Sequence, residues 1–135
     1  MTGLLVDSNV LLDVFEADPV WAEWAESKLH KYSQTHTLYI NPIIYSEISI
    51  GFARIEELEE IINACGLRMI QIPKEALFLA GKAFMKYKTR KGTKMSTLPD
   101  FFIGAHAAVE KIELLTRDTS RFKSYFPTVK LITPE

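Results

Sequence analysis

Four carboxylates in this chain stand where they could do chemistry together. Asp7 follows the apolar run Leu4-Leu-Val6, and Asp118 follows Leu114-Leu-Thr116 with one residue between. Each is therefore expected just past the carboxyl end of a short buried strand, the edge at which open α/β sheets bind ligands. Glu47 lies within Ile43-Ile-Tyr-Ser-Glu-Ile-Ser-Ile50, a helical segment too apolar to have a broad solvent face. A partly buried carboxylate there must be paired, protonated or bound to a metal. Asp100 follows Pro99 in the first turn of a further expected helix. Four such groups at close range cannot all stay ionised without a cation; like charges raise their pKa values and a divalent ion reverses the shift. All-oxygen ligation without a His or Cys cluster selects a hard ion, Mg²⁺ or Mn²⁺. Metal-assisted hydrolysis of a phosphodiester is one reaction that suits this set.

Each acid also has a plain structural reading. Asp7 can cap a helix, Asp100 can complement a helix dipole, and Asp118 can close a turn. The constellation outweighs its members, because strand ends of a parallel sheet converge on one edge.

The elements that would position these acids follow from the apolar spacing. Strands are expected over Leu4–Val6, Leu38–Ile40, Arg68–Ile72, Leu114–Thr116 and Val129–Ile132. Between them lie helical patterns, several opened by a cap and a first-turn proline, as at Asp18-Pro19 and Asn41-Pro42. The Asp18 helix would turn Trp21, Trp24, Ala25 and Leu29 inward. The helix from Lys74 would bury Ala76, Leu77, Ala80, Ala83, Phe84 and Tyr87. Gly66 would end the Arg54–Cys65 helix in the left-handed region, and Gly104, one turn beyond Asp100, would let a neighbour approach closely. Lys91–Leu98 reads as a loop. Short strands alternating with helices define a three-layer, doubly wound α/β domain, with a mainly parallel sheet of about five strands, spanning residues 1–135.

Bulk properties narrow the classes. With 47% apolar and 24% charged residues the chain should be globular, and a net charge of −1 argues against a strongly basic coat. A single Cys65 excludes an internal disulfide framework, and no run approaches the roughly 20 apolar residues of a membrane span. The expected location is the cytoplasm. His30, His36 and His106 lack zinc spacing, and there is no Gly-rich nucleotide cradle. Lys86, Lys88, Arg90, Lys91 and Lys94, with Tyr87 among them, form either a solvated helix end or a phosphate-tracking patch leading towards Asp100. The Trp21/Trp24 pair suits packing or a partner interface.

The segments Leu5-Val-Asp-Ser-Asn-Val-Leu11, Tyr45-Ser-Glu-Ile48, Leu98-Pro-Asp-Phe-Phe-Ile-Gly-Ala105 and Leu115-Thr-Arg-Asp-Thr-Ser-Arg-Phe122 resemble, in order and spacing, those of the PIN-domain family. More narrowly they resemble the VapC ribonuclease toxins of prokaryotic toxin–antitoxin pairs. The resemblance implies a Mg²⁺- or Mn²⁺-dependent endoribonuclease whose acidic quartet is Asp7, Glu47, Asp100 and Asp118. Within that quartet Asp7 and Asp100 are expected to hold the ion directly, Glu47 to position a ligand or the attacking water, and Asp118 to complete the site through water. Asn9 and Thr116 would orient ligand or water. Homodimers, a small cognate antitoxin and a tRNA or rRNA target are implied as well. One departure stands out: many relatives carry an acid just before the phenylalanine of the last motif, and here the residue is Arg121. Arg121 would weaken a second metal site and, with Lys91 and Lys94, could contact RNA phosphate. Competing readings are a PIN nuclease of RNA maturation or decay without an antitoxin, an inactive PIN-like binding module, and a phosphoacceptor signalling domain. The last would want paired acids after the first strand, where Asp7 is followed by Ser8.

Overall fold

Strand β1 (Thr2–Val6) is the middle of the sheet, and Leu4, Leu5 and Val6 are wholly buried. A strand covered on both faces reads as a continuous apolar run rather than an alternating one. The computed structural model describes residues 2–90 and 98–134. Within them β1 pairs in parallel with β2 (His36–Ile40) on one side and with β4 (Glu113–Leu115) on the other. Strands β3 (Arg68–Met69) and β5 (Leu131–Ile132) complete an all-parallel sheet of order β3-β2-β1-β4-β5. Seven described helices flank it: α1 (Ser8–Phe15), α2 (Ala22–Ser33), α3 (Pro42–Ser49), α4 (Ile55–Ala64), α5 (Lys74–Thr89), α6 (Leu98–Glu110) and α7 (Ser120–Tyr125). The expected doubly wound α/β architecture is the one observed. Strand order reverses direction between β1 and β4, and a crevice opens outside the carboxyl ends of strands at such a switch point.

Local chemistry explains most boundaries. Asn41 caps α3 by accepting from the Ile44 N–H at 2.9 Å, with Pro42 at the first helical position. Gly66, at φ +69°, carries the chain out of α4 through the left-handed region. Helix α6 packs along α5, where Ala76, Ala80 and Ala83 form the buried stripe. A side chain at Gly104 would overlap the Phe126 ring, so the expected close neighbour is Phe126.

Beyond shifts of one or two residues at strand starts, four boundaries or faces differ from the sequence reading. The third strand stops at Met69 rather than Ile72. Its last ladder bond runs from the Ile70 N–H to the Ile40 carbonyl (2.9 Å), and Asn41-Pro42 removes any partner backbone beyond. The last strand likewise covers only Leu131–Ile132, opposite the short β4. Asp18 does cap, accepting from the Val20 and Trp21 N–H groups at 2.9 Å each, but the regular helix begins only at Ala22. Trp21 therefore sits before α2, outside the core, while Trp24 and Leu29 pack against the core from its edge. Leu77 is 45% exposed. The close α5–α6 approach runs through alanines, and a narrow stripe leaves the adjacent position outside. The loop expected over Lys91–Leu98 falls outside the described residues except for Leu98, which already belongs to α6.

Candidate functional site

Asp7 leaves β1 with its backbone still in the ladder, its N–H bonded to the Leu115 carbonyl at 2.9 Å. The same residue caps α1, its Oδ1 accepting from the Ser8 N–H at 2.8 Å. The side chain is only 4% exposed. Its other oxygen, Oδ2, accepts a 2.7 Å hydrogen bond from the Thr116 hydroxyl, itself fully buried at the end of β4. The cap and the Thr116 hydrogen bond thus fall on the two oxygens of one carboxylate.

Thr116 Oγ1 has one proton to give, and gives it to Asp7. Its lone pairs receive the Asp118 N–H at 3.1 Å and the Asn9 side-chain amide at 3.5 Å. Asn9 Oδ1 in turn accepts from the Arg117 N–H at 3.4 Å. The two expected supporting residues therefore tie the start of α1 to the loop after β4, across the switch point. Arg117 reinforces that tie: its guanidinium forms a two-pronged pair with buried Asp13 of α1, at 2.5 and 3.1 Å, and lies over the Trp21 ring.

Glu47 of α3 reaches the same edge. Its Oε1 accepts from the Ser8 hydroxyl at 2.7 Å, while that hydroxyl lies 3.4 Å from Asp7 Oδ1. One serine thus stands between two acids. Asp100, in the first turn of α6, is held by its neighbour. Phe101 is wholly buried, with the rings of Phe84, Tyr87, Tyr125 and Phe126 centred 5.3–6.0 Å away. Asp100 Oδ2 accepts from Arg121 Nη1 at 2.7 Å. Asp118 is exposed past Thr116, with the Ser120 hydroxyl 3.5 Å from its Oδ1. Of the expected phosphate contacts, Arg121 is engaged with Asp100, and Lys91 and Lys94 lie outside the described residues.

The electrostatics couple the four acids. Burial is the main force pushing the Asp7 carboxyl up to about 7; the charges of Asp100 and Glu47 push the same way, against the hydrogen bonds from Thr116 and Ser8. Asp100 is also raised, first by burial and then by the charges of Asp118 and Glu47, with Arg121 opposing. Among the described residues Asp7 is therefore served by neutral donors, and a cation is what would restore its charge. All-oxygen donors of this kind suit a hard divalent ion. Among the described residues, no three acids, histidines or cysteines are gathered closely enough to form a finished cage. The acids are neighbours, and Arg121 holds one of them.

Two participants escaped the sequence reading. Ser8 is given no site role there, yet it bridges Asp7 and Glu47. Asp13 was not singled out, although the argument applied to Glu47, an acid among apolar helical neighbours, applies equally to Val10-Leu-Leu-Asp-Val-Phe15.

A sheet of this order with acids at its switch point defines an α/β domain with an acidic site at the carboxyl edge. The chain belongs to the PIN domain family, whose profile matches residues 4–125. No curated protein matches the chain significantly. Among solved structures, the fold is similar to VapBC2 from Rickettsia felis bound to a DNA fragment from their promoter (TM-score 0.75, 18% identity, 98% of each chain covered). It is also similar to a toxin–antitoxin complex from Klebsiella pneumoniae (TM-score 0.72, 24% identity, 98% of each chain). FitAcB from Neisseria gonorrhoeae is a third (TM-score 0.69, 19% identity, 97% of each chain). At these identities the likeness concerns the fold.

Proposed function

We propose that this chain, as one PIN-like domain over residues 1–135, is a metal-dependent endoribonuclease and the toxin of a toxin–antitoxin pair. The observation that carries the reading is a buried Asp7, whose described hydrogen-bond donors are neutral, coupled to three more acids at the sheet's switch point. The toxin assignment is supported by fold likeness to chains from toxin–antitoxin complexes. It brings with it a small cognate antitoxin, a homodimer, a cytoplasmic location and tRNA or rRNA as the target. No described helix is long and apolar enough to cross a membrane.

In this reading Asp7 and Asp100 would hold Mg²⁺ or Mn²⁺, with Asp118 supporting the site beside them. Held there, a divalent ion would supply a lowered pKa for the attacking water and an offset to the charge developing on the phosphoryl oxygens. Glu47, steadied by the Ser8 hydroxyl, orients the attacking water. Thr116 fixes one Asp7 oxygen and Asn9 fixes Thr116, so the metal-facing carboxylate cannot rotate away. Lys91, Lys94 and Arg121 offset the repulsion between an acidic site and a polyanion.

Asp100→Asn removes a charge without changing shape. Cleavage of total RNA, read by mapping new 5′ ends, is expected to fall at least about 100-fold, the scale of losing one electrostatic participant. Far-UV circular dichroism should be unchanged. Chelator should abolish wild-type cleavage and Mg²⁺ restore it. A variant cutting at the wild-type rate ends this assignment. A short adjacent reading frame with a DNA-binding pattern would mark the antitoxin, and its absence would favour a nuclease of RNA maturation or decay.

A further inference from the structure

Arg121 is the cation that the described contacts place on the acidic quartet, and it is anchored from two sides. Its Nη1 meets Asp100 Oδ2 at 2.7 Å, and its guanidinium lies over the Tyr87 ring, 5.7 Å from the centroid. The side chain is 22% exposed, so this is a largely enclosed pair. A flat, delocalised cation stacked on an aromatic face keeps its position at little further entropic cost. The other arginine nearby, Arg117, is spent on Asp13. The contact therefore lies on an acid that the proposed ion would need, and among the described residues no three acids stand close enough to cage an ion.

We propose that Arg121 is a tethered counter-cation: it holds Asp100 in the metal-free protein and competes with the divalent ion for that carboxylate, so that it sets the metal affinity of the site. The inference rests on the nuclease reading, but concerns ion binding rather than cutting. A unit charge in contact with a ligand, even at an effective dielectric near 20, acts on a neighbouring ion strongly enough to change affinity by about tenfold. Arg121 thus performs two tasks. It lets four acids coexist before an ion arrives, and it keeps the site from filling at low ion concentration. It is a positioning residue, acting on the reaction through Asp100.

The test is Mn²⁺ binding to the purified full chain, followed by the loss of the free-ion EPR signal, with thermal melts in chelator and in Mn²⁺. Arg121→Gln is expected to bind Mn²⁺ about tenfold more tightly than wild type. It should melt lower in chelator and gain more from added Mn²⁺. Arg121→Lys keeps the charge but not the flat stacking face, and should fall between the two; it also serves if the Gln variant does not fold. Affinity unchanged or weakened in Arg121→Gln, or in Arg121→Lys if the Gln variant is unfolded, overturns the proposal. The nuclease reading then still stands, because its own test is RNA cleavage by Asp100→Asn. A wild-type chain that binds no Mn²⁺ at all overturns both.

Discussion

The sheet carries an enclosed carboxylate at each end, and the two have opposite fates. At the carboxyl edge, Asp7 is surrounded by neutral donors and by other acids, and its carboxyl is pushed up to about 7. At the amino edge, Glu113 opens β4. Burial pushes it up as well, but His36 Nε2 at 2.7 Å and Lys130 Nζ at 3.2 Å outweigh that and hold its pKa below the usual range. The strands and their order are the same, and burial acts in the same direction on both groups. What differs is the supply of positive charge. At the amino edge the chain satisfies its acid internally, as a structural site does. At the carboxyl edge, among the described residues, Asp7 has only neutral donors and Asp100 is paired with Arg121, an arrangement that costs stability.

That contrast can be broken by experiment. The largest expected effect is at Asp7. Its folded pKa lies above the ordinary value, so the folded chain binds more protons between about pH 4 and 7. Its contribution to stability is therefore intact at low pH and lost as pH rises through about 7. Asp7→Asn should stabilise the metal-free protein at pH 8 by up to about 4 kcal/mol, and by little at pH 4, in urea unfolding with chelator present. No gain at pH 8 would mean that the buried charge is already compensated.

A smaller effect belongs to Thr116→Val, which keeps the shape and removes the donor to Asp7 Oδ2. A hydrogen bond to an ionised group is worth about 1.5–3 kcal/mol. The loss should approach that value at pH 8 and shrink below pH 7, where Asp7 takes up its own proton. A pH-independent loss would assign Thr116 to packing alone.

The smallest effect is expected at Glu113→Gln. Its pKa is held low, so its contribution is present at neutral pH and disappears as pH falls through the acid range. The expected loss is about 1 kcal/mol near pH 7, in keeping with a pair open to solvent on its Lys130 side, and Mn²⁺ affinity should not move. A change in ion binding would erase the distinction between the two edges.

Much of this was legible in residue order. Apolar runs ending in Asp7 and Thr116 place two side chains at one sheet edge, because parallel strands separated by helices must point the same way. Asn41-Pro42 and Gly66 punctuate the helices by chemistry that acts within a few residues. Strand lengths were less legible: Arg68–Ile72 is apolar enough to pair throughout, but β2 stops supplying a partner at Ile40. Leu77 failed for a related reason, since how much of a helix is covered depends on how closely its neighbour approaches.

The site divides along the same line. Sequence by itself determined which acids can meet, because residue type and strand or helix position are local properties. Only the tertiary structure decided the partners: that Ser8 links Asp7 to Glu47, that Arg117 is committed to Asp13, and that Arg121 faces Asp100 rather than solvent. Those contacts join residues from 21 to 104 positions apart, and charges at such separation interact only once packing has removed the water between them.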